Sequence, residues 1–598
     1  MIRINNNVHL KKYLTPGFYL ISAIAFVLGF NHYFFDGNLL GNQSIFNLLF
    51  LVVSLYLFCT LFKDVKRNII VPCAIFSFFL SCTMVIGQSL YVYGSFYGIV
   101  SSASNMLLSL ITIWGFGVFF TCICNFLAEK LIHFEDTASS KPWRIFKYPY
   151  LYWIVIFLCW LPCYLAYYPG IFSYDMDSQM PQVLGTVSYS RYHPPLHTFF
   201  WDVCLFIEEK TGITGLVIYS IVQMALLSLA FTYLLRFLIK RNVRNRLILL
   251  CLLFVCLNPV IAIFSFIPTK DALFAVFFIL YSVELCYFIG DKEAYSHNIF
   301  AICRLIIFAI LSCLLRNNMI YAILLSALIG IVLLKKYWKQ LLLWNALIFV
   351  GYSLINGPIY NALGIEGGNS REMLSVPIQQ ISYVVKNHST ELSDEEIEIL
   401  NKYLPVDELG TLYNPRLADP VKNTFITDNF NEDKGSFLNV WFDLFLRYPD
   451  EYISAFLNLN LPYWYIDADT RDAYSGRIYI ETYILDSSVT KYDITRDSKI
   501  PWLYNIYEKF AGYYAIEDIP IVSNFFSISL PIWVLLLSWL VPVVKKKKEC
   551  LYIVLPSICY WLTFLLGPVS NFRYVFPIVA LYPLYLVLIM ETKKFTKE

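Results

Sequence analysis

The chain is a series of long apolar runs separated by short polar segments. A helix needs about 20 mostly apolar residues to cross a membrane core of ~30 Å. Runs of this kind predict transmembrane helices at about 13–35, 45–62, 69–90, 99–127, 148–168, 213–235, 247–265, 271–289, 298–315, 317–334, 340–357, 525–543, 550–567 and 574–590. The pattern therefore predicts an all-α polytopic membrane protein with about 14 transmembrane helices.

The composition agrees with this interpretation and excludes several other classes of protein. Hydrophobic residues make up 58% of the 598 residues, whereas soluble proteins contain about 45–50%. A water-soluble enzyme, a disordered chain and a disulfide-stapled secreted module are excluded. The net charge of +2 gives no indication of nucleic-acid binding. None of the 15 cysteines lies in the long polar region 358–524, so that region is expected to fold without disulfides.

The distribution of basic residues predicts the orientation of the helices. With a cytoplasmic N-terminus, the inner segments carry 27 of the 45 Lys and Arg residues. The short outer loops then carry five, namely Arg191, Lys210, Lys270, Arg316 and Arg573. Cytoplasmic loops of membrane proteins are enriched in Lys and Arg. This orientation places the polar loop 169–212 and the region 358–524 outside the cell.

The predicted helices divide the chain into four parts. These are an N-terminal module of four transmembrane helices (1–144), a membrane core with a catalytic outer loop at 169–212 (145–357), an extracytoplasmic domain (358–524) and three C-terminal transmembrane helices (525–598). The extracytoplasmic domain is predicted to be mostly helical, because Ser393 suits the N-cap of a helix at 394–403 and 436–457 has apolar residues at helical spacing. A strand-like run at 476–485 leaves an α+β domain open.

The loop 169–212 carries two carboxylates and two imidazoles. Asp175 and Asp177 follow the turn signal Pro169-Gly170, and His193 and His197 flank Pro194-Pro195, which suits the first turn of a helix lying in the membrane interface. The aspartates are candidates for a catalytic base, with ordinary loop residues as the alternative. A metal site formed by both aspartates and both histidines is a further possibility, although capping or hydrogen bonding suits the histidines better.

Three cations lie at other outer helix ends. Lys270 begins the eighth predicted helix, Arg316 follows the ninth, and Arg573 lies in the tight loop before the last helix. Lys270 alternatively pairs with Asp271, and Arg316 alternatively serves as a topology anchor. A functional role is favoured for Arg573, because the helices beside its loop are almost uncharged. Clustered cations of this kind suit a phosphate group.

The outward location restricts the donor of a sugar-transfer reaction. Nucleotide sugars are made and kept in the cytosol, whereas the candidate residues are predicted to face outward. A sugar-transferring enzyme at this surface needs a donor that the membrane itself supplies, namely a polyprenyl-phosphate sugar. The expected partners are therefore this lipid-linked donor, a glycan or lipid acceptor, and membrane lipids, without nucleic acid.

The chain resembles the glycosyltransferase C superfamily, in which a long first outer loop carries acidic residues just after a helix end. It is more closely similar to a poorly characterised bacterial branch of that superfamily, over about residues 145–590. The stretches that carry the resemblance are Tyr168-Pro169-Gly170 through Gln179, His193 to His197, Arg316-Asn317, Arg371 to Gln380, Tyr413 to Pro420, and Phe572-Arg573-Tyr574. The first four predicted helices lie outside the resemblance.

The resemblance implies an inverting sugar transfer, with or without the help of a divalent metal; no cofactor is implied with certainty. Asp175 best matches the catalytic carboxylate, with Asp177 as the second choice, because the pair is Asp-Met-Asp rather than adjacent. The residues expected to bind the lipid phosphate and sugar are His193, His197, Lys270, Arg316, Arg573, Tyr574 and Gln179. The implied fold is the membrane core of this superfamily.

The resulting hypothesis is a glycosyltransferase in a bacterial cytoplasmic membrane with its active site on the extracytoplasmic side. Its acceptor would be a wall polymer, a glycolipid or a polysaccharide. The first rival hypothesis is a transporter or flippase for lipid-linked sugars, but broken or charged helices at mid-membrane and related halves would then be expected. The second is a polymerase or ligase of surface polysaccharide, and the third is a non-catalytic assembly scaffold.

Overall fold

The computed structural model describes residues 16–35, 45–62, 66–135, 148–172, 175–368, 370–468, 494–511 and 527–596. Regular structure in these ranges is helical, and β pairing is limited there to isolated bridges between Ser190 and Glu366 and between Asn414 and Leu417. The prediction of an all-α protein is confirmed for the described residues. The strand-like run 476–485 lies outside them.

The helices have the following bounds. In chain order they are α1 Pro16–Phe35, α2 Ile45–Leu61, α3 Arg67–Tyr93, α4 Tyr97–Val100, α5 Ala103–Glu135, α6 Pro149–Ala166, α7 Met176–Val183, α8 Pro195–Thr211, α9 Gly215–Lys240, α10 Asn245–Leu257, α11 Pro259–Phe264, α12 Lys270–Gly290, α13 Lys292–Ser296, α14 Ile299–Leu315, α15 Met319–Leu333, α16 Trp338–Leu354, α17 Tyr360–Ala362, α18 Ser375–His388, α19 Asp394–Asn401, α20 Val406–Leu412, α21 Asp419–Lys422, α22 Thr427–Glu432, α23 Lys434–Arg447, α24 Pro449–Leu459, α25 Leu461–Trp464, α26 Pro501–Ala511, α27 Leu530–Val544, α28 Leu551–Phe564, α29 Phe572–Ala580 and α30 Tyr582–Met590. A π-helical stretch, Ile355–Ile359, extends α16.

Several helices are long and apolar enough to cross a membrane. Among the described residues there are six, or up to seven when the bent pair α29–α30 is counted as one span. These six are Pro16–Phe35, Arg67–Tyr93, Ala103–Phe134, Gly215–Lys240, Lys270–Gly290 and Lys335–Ala362. Shorter apolar helices of 10–17 residues include α2, α6, α10, α14, α15 and α27. The protein is therefore a helical membrane protein, and the larger number of spans stays a prediction.

The chain forms two compact units. The first contains Met1–Thr137, Leu374–Asp469 and Leu536–Lys547, and the second contains Ala138–Met373, Thr470–Leu535 and Lys548–Glu598. Each unit is described separately below. The four segments defined along the sequence stay predictions.

In the first unit, glycines let the N-terminal helices approach closely. A Cβ atom on Gly115 of α5 would lie 2.5 Å from the backbone of Phe26 in α1, and one on Gly29 would lie 2.7 Å from Thr112 Cα. Small residues at such crossings allow tight packing of membrane helices. Gly87 of α3 is covered in the same way by the ring of Tyr465.

The segment 374–468 of the first unit has its own apolar core, which includes Ile378, Leu400 and Phe437. Ser393 and Glu396 form a capping box at the start of α19. The predicted helix at 436–457 is two helices, α23 and α24, because Pro449 lacks the N–H that a continuous helix needs.

In the second unit, α12 is surrounded by other helices and is largely buried. It packs against α9, α14, α28 and α29. Helix α8 begins at Pro195 as predicted, buries Trp201 and exposes Val203 and Phe206, which is the amphipathic character expected of an interface helix. The loop after α6, the start of α12, the end of α14 and the start of α29 supply the residues of the candidate site.

Candidate functional site

Two side-chain caps fix the first turns of the helices that carry the cations. The hydroxyl of Thr269 accepts a hydrogen bond from the backbone N–H of Ala272, 3.2 Å away, at the start of α12. The side-chain oxygen of Asn571 accepts one from the N–H of Arg573, 3.1 Å away, at the start of α29. Such caps satisfy N–H groups that a helix start leaves without partners. They fix the backbone from which Lys270 and Arg573 extend.

Asp175 lies between two of the predicted cations. Its side chain is 2% exposed, at the start of α7. Nη1 of Arg573 donates a hydrogen bond to Oδ1 over 2.7 Å. Nζ of Lys270 lies 2.9 Å from Oδ2. Both carboxylate oxygens of Asp175 are therefore paired with positive charges.

Lys270 also contacts His193. Its Nζ donates to Nδ1 of His193 over 2.8 Å, and that nitrogen lies 3.9 Å from Oδ2 of Asp175. Burial and the adjacent charge of Lys270 lower the pKa of His193 to about 3. His193 is therefore neutral, with Nδ1 as the acceptor and its proton on Nε2.

A second ion pair, between Arg316 and Asp271, lies next to Arg573. Arg316 donates to the fully buried carboxylate of Asp271, whose other oxygen lies 4.0 Å from Nε of Arg573. The guanidinium carbon of Arg316 lies 4.3 Å from the ring centroid of Tyr574 and 5.9 Å from that of Tyr560. Stacking on an aromatic face and bonding to a carboxylate together fix the plane of the guanidinium.

We refer to these six residues as the charged cluster: Asp175, His193, Lys270, Asp271, Arg316 and Arg573. With His193 neutral, they carry three positive and two negative charges, so the cluster has a formal charge of +1. Burial alone would raise the pKa of Asp175, but the charges of Arg573 and Lys270 outweigh it and hold that pKa well below its ordinary value. The cluster thus contains an ionised carboxylate and an excess positive charge suited to an anion.

His197 and Gln179 lie in a separate buried hydrogen-bonded network. Nδ1 of His197 pairs with Oε1 of Gln179 at 2.9 Å, and Nε2 pairs with the hydroxyl of Tyr219 at 2.8 Å. Tyr219 in turn bonds Gln223, whose amide nitrogen donates to carbonyl oxygens before α12, among them that of Ile267 at 2.7 Å. Both ring nitrogens of His197 are occupied, and the network joins α7, α8 and α9.

The metal site is not assembled among the described residues. No group of three His, Cys, Asp or Glu side chains there is arranged to hold an ion. The ring nitrogens of His197 bond Gln179 and Tyr219, and Asp175 is paired with cations. Asp177 lies in α7, but its side chain is outside the described part of the structure.

Tyr574 contacts the cluster through its ring. Its hydroxyl is 3.5 Å from Nη2 of Arg573, at the outer limit of a hydrogen bond. Its ring face supports Arg316. The structure therefore brings together five of the predicted site residues (Asp175, His193, Lys270, Arg316 and Arg573), with Tyr574 packed against them.

An arginine far along the chain holds the turn that leads to Asp175. Nη1 of Arg496 donates to the carbonyl oxygens of Tyr167 and Gly170, the latter over 2.8 Å. The backbone N–H groups of Asp497 and Lys499 donate to the carbonyls of Tyr168 and Leu165, 3.0 and 2.9 Å away. One segment, 494–499, thus satisfies carbonyl groups at the end of α6, where a positive charge also suits the helix dipole.

Sequence reasoning missed several of these roles. The sequence indicates Asp271 only as a partner for Lys270, although its position in the first turn of an apolar helix marks it as a buried ion-pair candidate. Tyr219 and Gln223 lie inside an apolar helix, and their spacing of four residues is the only signal that joins them. Nothing in the local sequence around Arg496 indicates that it reaches α6.

A family profile described as a family of unknown function, DUF6020, matches residues 190–598. The match covers more than half of the chain. The chain belongs to this family. The DUF6020 match includes His193, Lys270, Asp271, Arg316 and Arg573, whereas Asp175 precedes it. No curated protein and no solved structure matches the chain.

Proposed function

We propose that the protein is a membrane glycosyltransferase that moves a sugar from a polyprenyl-phosphate carrier to a cell-surface acceptor. The observation that carries the proposal is the pairing of a buried, ionised Asp175 with Arg573 and Lys270 at the ends of apolar helices. The cations suit a phosphate, and the carboxylate suits the proton of an acceptor hydroxyl. The resemblance to the glycosyltransferase C superfamily supports the same reaction.

In the proposed topology, about 14 helices span a bacterial cytoplasmic membrane and the charged cluster faces the extracytoplasmic side. The bias of basic residues toward the predicted inner segments supports this orientation. All four chain segments that form the cluster are on the predicted outer side. Only a donor carried by the membrane reaches such a site, so the donor is a polyprenyl-phosphate sugar and not a nucleotide sugar.

The proposed transfer forms one bond and breaks one bond at the anomeric carbon. The acceptor oxygen attacks this carbon from the face opposite the phosphate, and the carboxylate of Asp175 takes the proton of the acceptor hydroxyl. The bond between the anomeric carbon and the phosphate oxygen breaks, and polyprenyl phosphate leaves with the electron pair. Arg573 and Lys270 stabilise the negative charge that develops on the leaving phosphate. The configuration at the anomeric carbon is inverted.

The proposal is tested with purified protein in nanodiscs and a polyprenyl-phosphate sugar labelled in the sugar. Wild-type protein is expected to transfer label to a cell-envelope acceptor fraction, and Asp175→Asn is expected to lose transfer by at least about 100-fold. Asp202→Asn is the matched control, because Asp202 accepts a bond from Tyr189 outside the cluster. Full transfer by a folded Asp175→Asn protein would remove Asp175 from the mechanism.

The same assay separates the rival functions. A flippase moves the labelled lipid across the bilayer without making a glycosidic bond. A polymerase or ligase uses polyprenyl-diphosphate donors and is inactive with the monophosphate-linked sugar. A non-catalytic scaffold gives no transfer with either donor, and Asp175→Asn has no effect on its function in cells.

A further inference from the structure

Within the charged cluster, the cations expected to bind a phosphate are already paired with a carboxylate. The two cations best placed to hold a phosphate, Arg573 and Lys270, are both paired with Asp175, at 2.7 and 2.9 Å. A carboxylate bonded to two cations is a weak base, because protonation would cost both ion pairs; the low pKa of Asp175 has this cause. As it stands, the carboxylate of Asp175 occupies the positions at Arg573 and Lys270 that a phosphate would take, and it is itself too well paired to accept the proton of an acceptor.

Lys270 and Arg316 differ in how firmly they are held. Nζ of Lys270 has two acceptors at hydrogen-bond distance on different residues, Asp175 at 2.9 Å and His193 at 2.8 Å. It can therefore exchange the carboxylate for another anion while it stays bonded to His193. Arg316 is tied to the fully buried Asp271 and stacked on Tyr574, so it is fixed in place.

The charge of the cluster matches one class of ligand. A polyprenyl-phosphate sugar is a phosphodiester with a single negative charge, which neutralises the formal charge of +1. Its two non-bridging oxygens can replace the two oxygens of Asp175 as acceptors for Arg573 and Lys270. The displaced carboxylate then loses both counter-charges and lies beside an anion, and each change raises its affinity for a proton.

We propose that Asp175 is an internal competitor for the phosphate site: it occupies Arg573 and Lys270 until a phosphate displaces it, and this exchange converts it into the active base. The inference rests on the proposed function and adds its regulation. The base forms only when the donor is bound, so Asp175 does not deprotonate water or acceptor before the donor arrives. A phosphate group on a lipid or in solution provides the same displacing chemistry.

Removing an ordinary binding residue weakens the binding of its ligand, whereas removing the competing carboxylate of Asp175 is expected to strengthen the binding of phosphate. In nanodiscs, Asp175→Asn is expected to bind polyprenyl monophosphate roughly tenfold more tightly than wild type, because the competing charge is removed. Lys270→Gln is expected to bind it roughly tenfold more weakly, and Asp202→Asn is expected to bind it as wild type does. Inorganic phosphate is measured in parallel: tightening with both ligands shows that the phosphate group suffices, and tightening with the lipid alone shows that the prenyl chain is also required.

A measurement on wild-type protein covers the case in which Asp175→Asn does not fold. With [4-¹³C]aspartate-labelled protein, the infrared difference spectrum on adding polyprenyl monophosphate is expected to show a shifted aspartate carboxylate band. Lys270→Gln should reduce this band. An unchanged aspartate signal with phosphate bound, or a folded Asp175→Asn protein that binds phosphate no more tightly than wild type, overturns the competition.

These outcomes are distinct from failure of the proposed function. If wild type transfers sugar but Asp175→Asn binds phosphate no more tightly, the competition is refuted and the glycosyltransferase remains. If Asp175→Asn binds phosphate more tightly but no sugar is ever transferred, the competition stands and the glycosyltransferase is refuted.

Discussion

Arg573 donates a hydrogen bond from Nη1 to Oδ1 of Asp175 over 2.7 Å, although the two residues are 398 positions apart in the chain. The bond joins the loop after α6 to the start of α29. Both side chains are almost fully buried, at 10% and 2% exposed. Removing Arg573 takes from Asp175 one of its two counter-charges in a medium of low dielectric constant, and Lys270 remains as the other.

We therefore expect Arg573→Gln to destabilise the protein by about 3 kcal/mol. The double variant Asp175→Asn with Arg573→Gln is expected to lose clearly less stability than the sum of the losses in the two single variants, because both changes remove the same hydrogen-bonded ion pair. Denaturant titration of the detergent-solubilised protein measures these differences. Additive losses would show that the two side chains do not interact.

The ring of Tyr574, rather than its hydroxyl, is expected to matter. Tyr574→Phe keeps the face on which Arg316 stacks and should bind polyprenyl monophosphate within about twofold of wild type. Tyr574→Ala removes a partly desolvated cation–π contact, worth roughly 1–2 kcal/mol, and should weaken binding about tenfold. Isothermal titration with both variants checks the order; a loss in Tyr574→Phe as large as that in Tyr574→Ala would assign the role to the hydroxyl.

Arg496 is expected to act as a positioning residue through the turn before Asp175. Arg496→Gln removes charge-assisted bonds to the carbonyls of Tyr167 and Gly170, each worth about 1.5–3 kcal/mol. Without these bonds the turn is expected to shift and to move the carboxylate of Asp175 out of position. This shift should lower the kcat of sugar transfer about tenfold with little change in KM. Arg496→Lys should recover part of the rate.

Lys499→Gln is the matched control for Arg496, because the side chain of Lys499 pairs with Asp497 and lies over the ring of Tyr168, whereas that of Arg496 donates to the carbonyls of Tyr167 and Gly170. It should leave kcat within about twofold of wild type. An equal loss of rate in both variants would mean that any change in the segment 494–499 lowers the rate. The guanidinium of Arg496 would then have no specific role in positioning Asp175.

The agreement between sequence and structure at the charged cluster has a simple physical source. Apolar runs fix where helices lie, and polar residues near their ends can meet only at the same side of a bundle, so the meeting of Asp175, Lys270 and Arg573 was predictable. Their pairing was not, because it depends on which helix ends become neighbours. Asp271 illustrates the difference: it stands beside Lys270 in the chain but bonds Arg316.

Buried polar networks were the least predictable part. The family resemblance implies that His197 lies in the substrate site with His193, on the same outer loop. Pro194 and Pro195 place His197 inside the first turn of α8, where it turns toward Tyr219 and Gln223 of α9. A glutamine inside a long apolar helix carries no sequence signal that identifies its partner. The role of His197 in substrate binding stays a prediction.

A histidine in the first unit predicts a pH dependence of stability. Nδ1 of His388 lies 3.0 Å from Glu391 and Nε2 lies 3.2 Å from Glu451, with the ring stacked on Tyr448. The hydrogen bond to Glu391 raises the pKa of His388, and that to Glu451 adds to it; Arg447, nearby, is paired with Glu396. Protonated His388 satisfies both carboxylates.

Because the folded pKa of His388 exceeds the unfolded value, its stabilisation is complete below the ordinary histidine pKa of about 6.5 and is lost as pH rises through the raised value. The unfolding temperature of wild type minus that of His388→Gln should therefore decrease between about pH 6 and pH 8. A difference that stays constant across this range would show that the ring contributes only packing on Tyr448.

The displacement of Asp175 by phosphate is tested most directly by a cryo-electron-microscopy structure of the protein in nanodiscs with polyprenyl monophosphate bound. We predict phosphate density within hydrogen-bond distance of Arg573 and Lys270, with the carboxylate of Asp175 turned away from both. Phosphate bound elsewhere, while the 2.7 Å bond between Arg573 and Asp175 stays intact, would contradict the displacement.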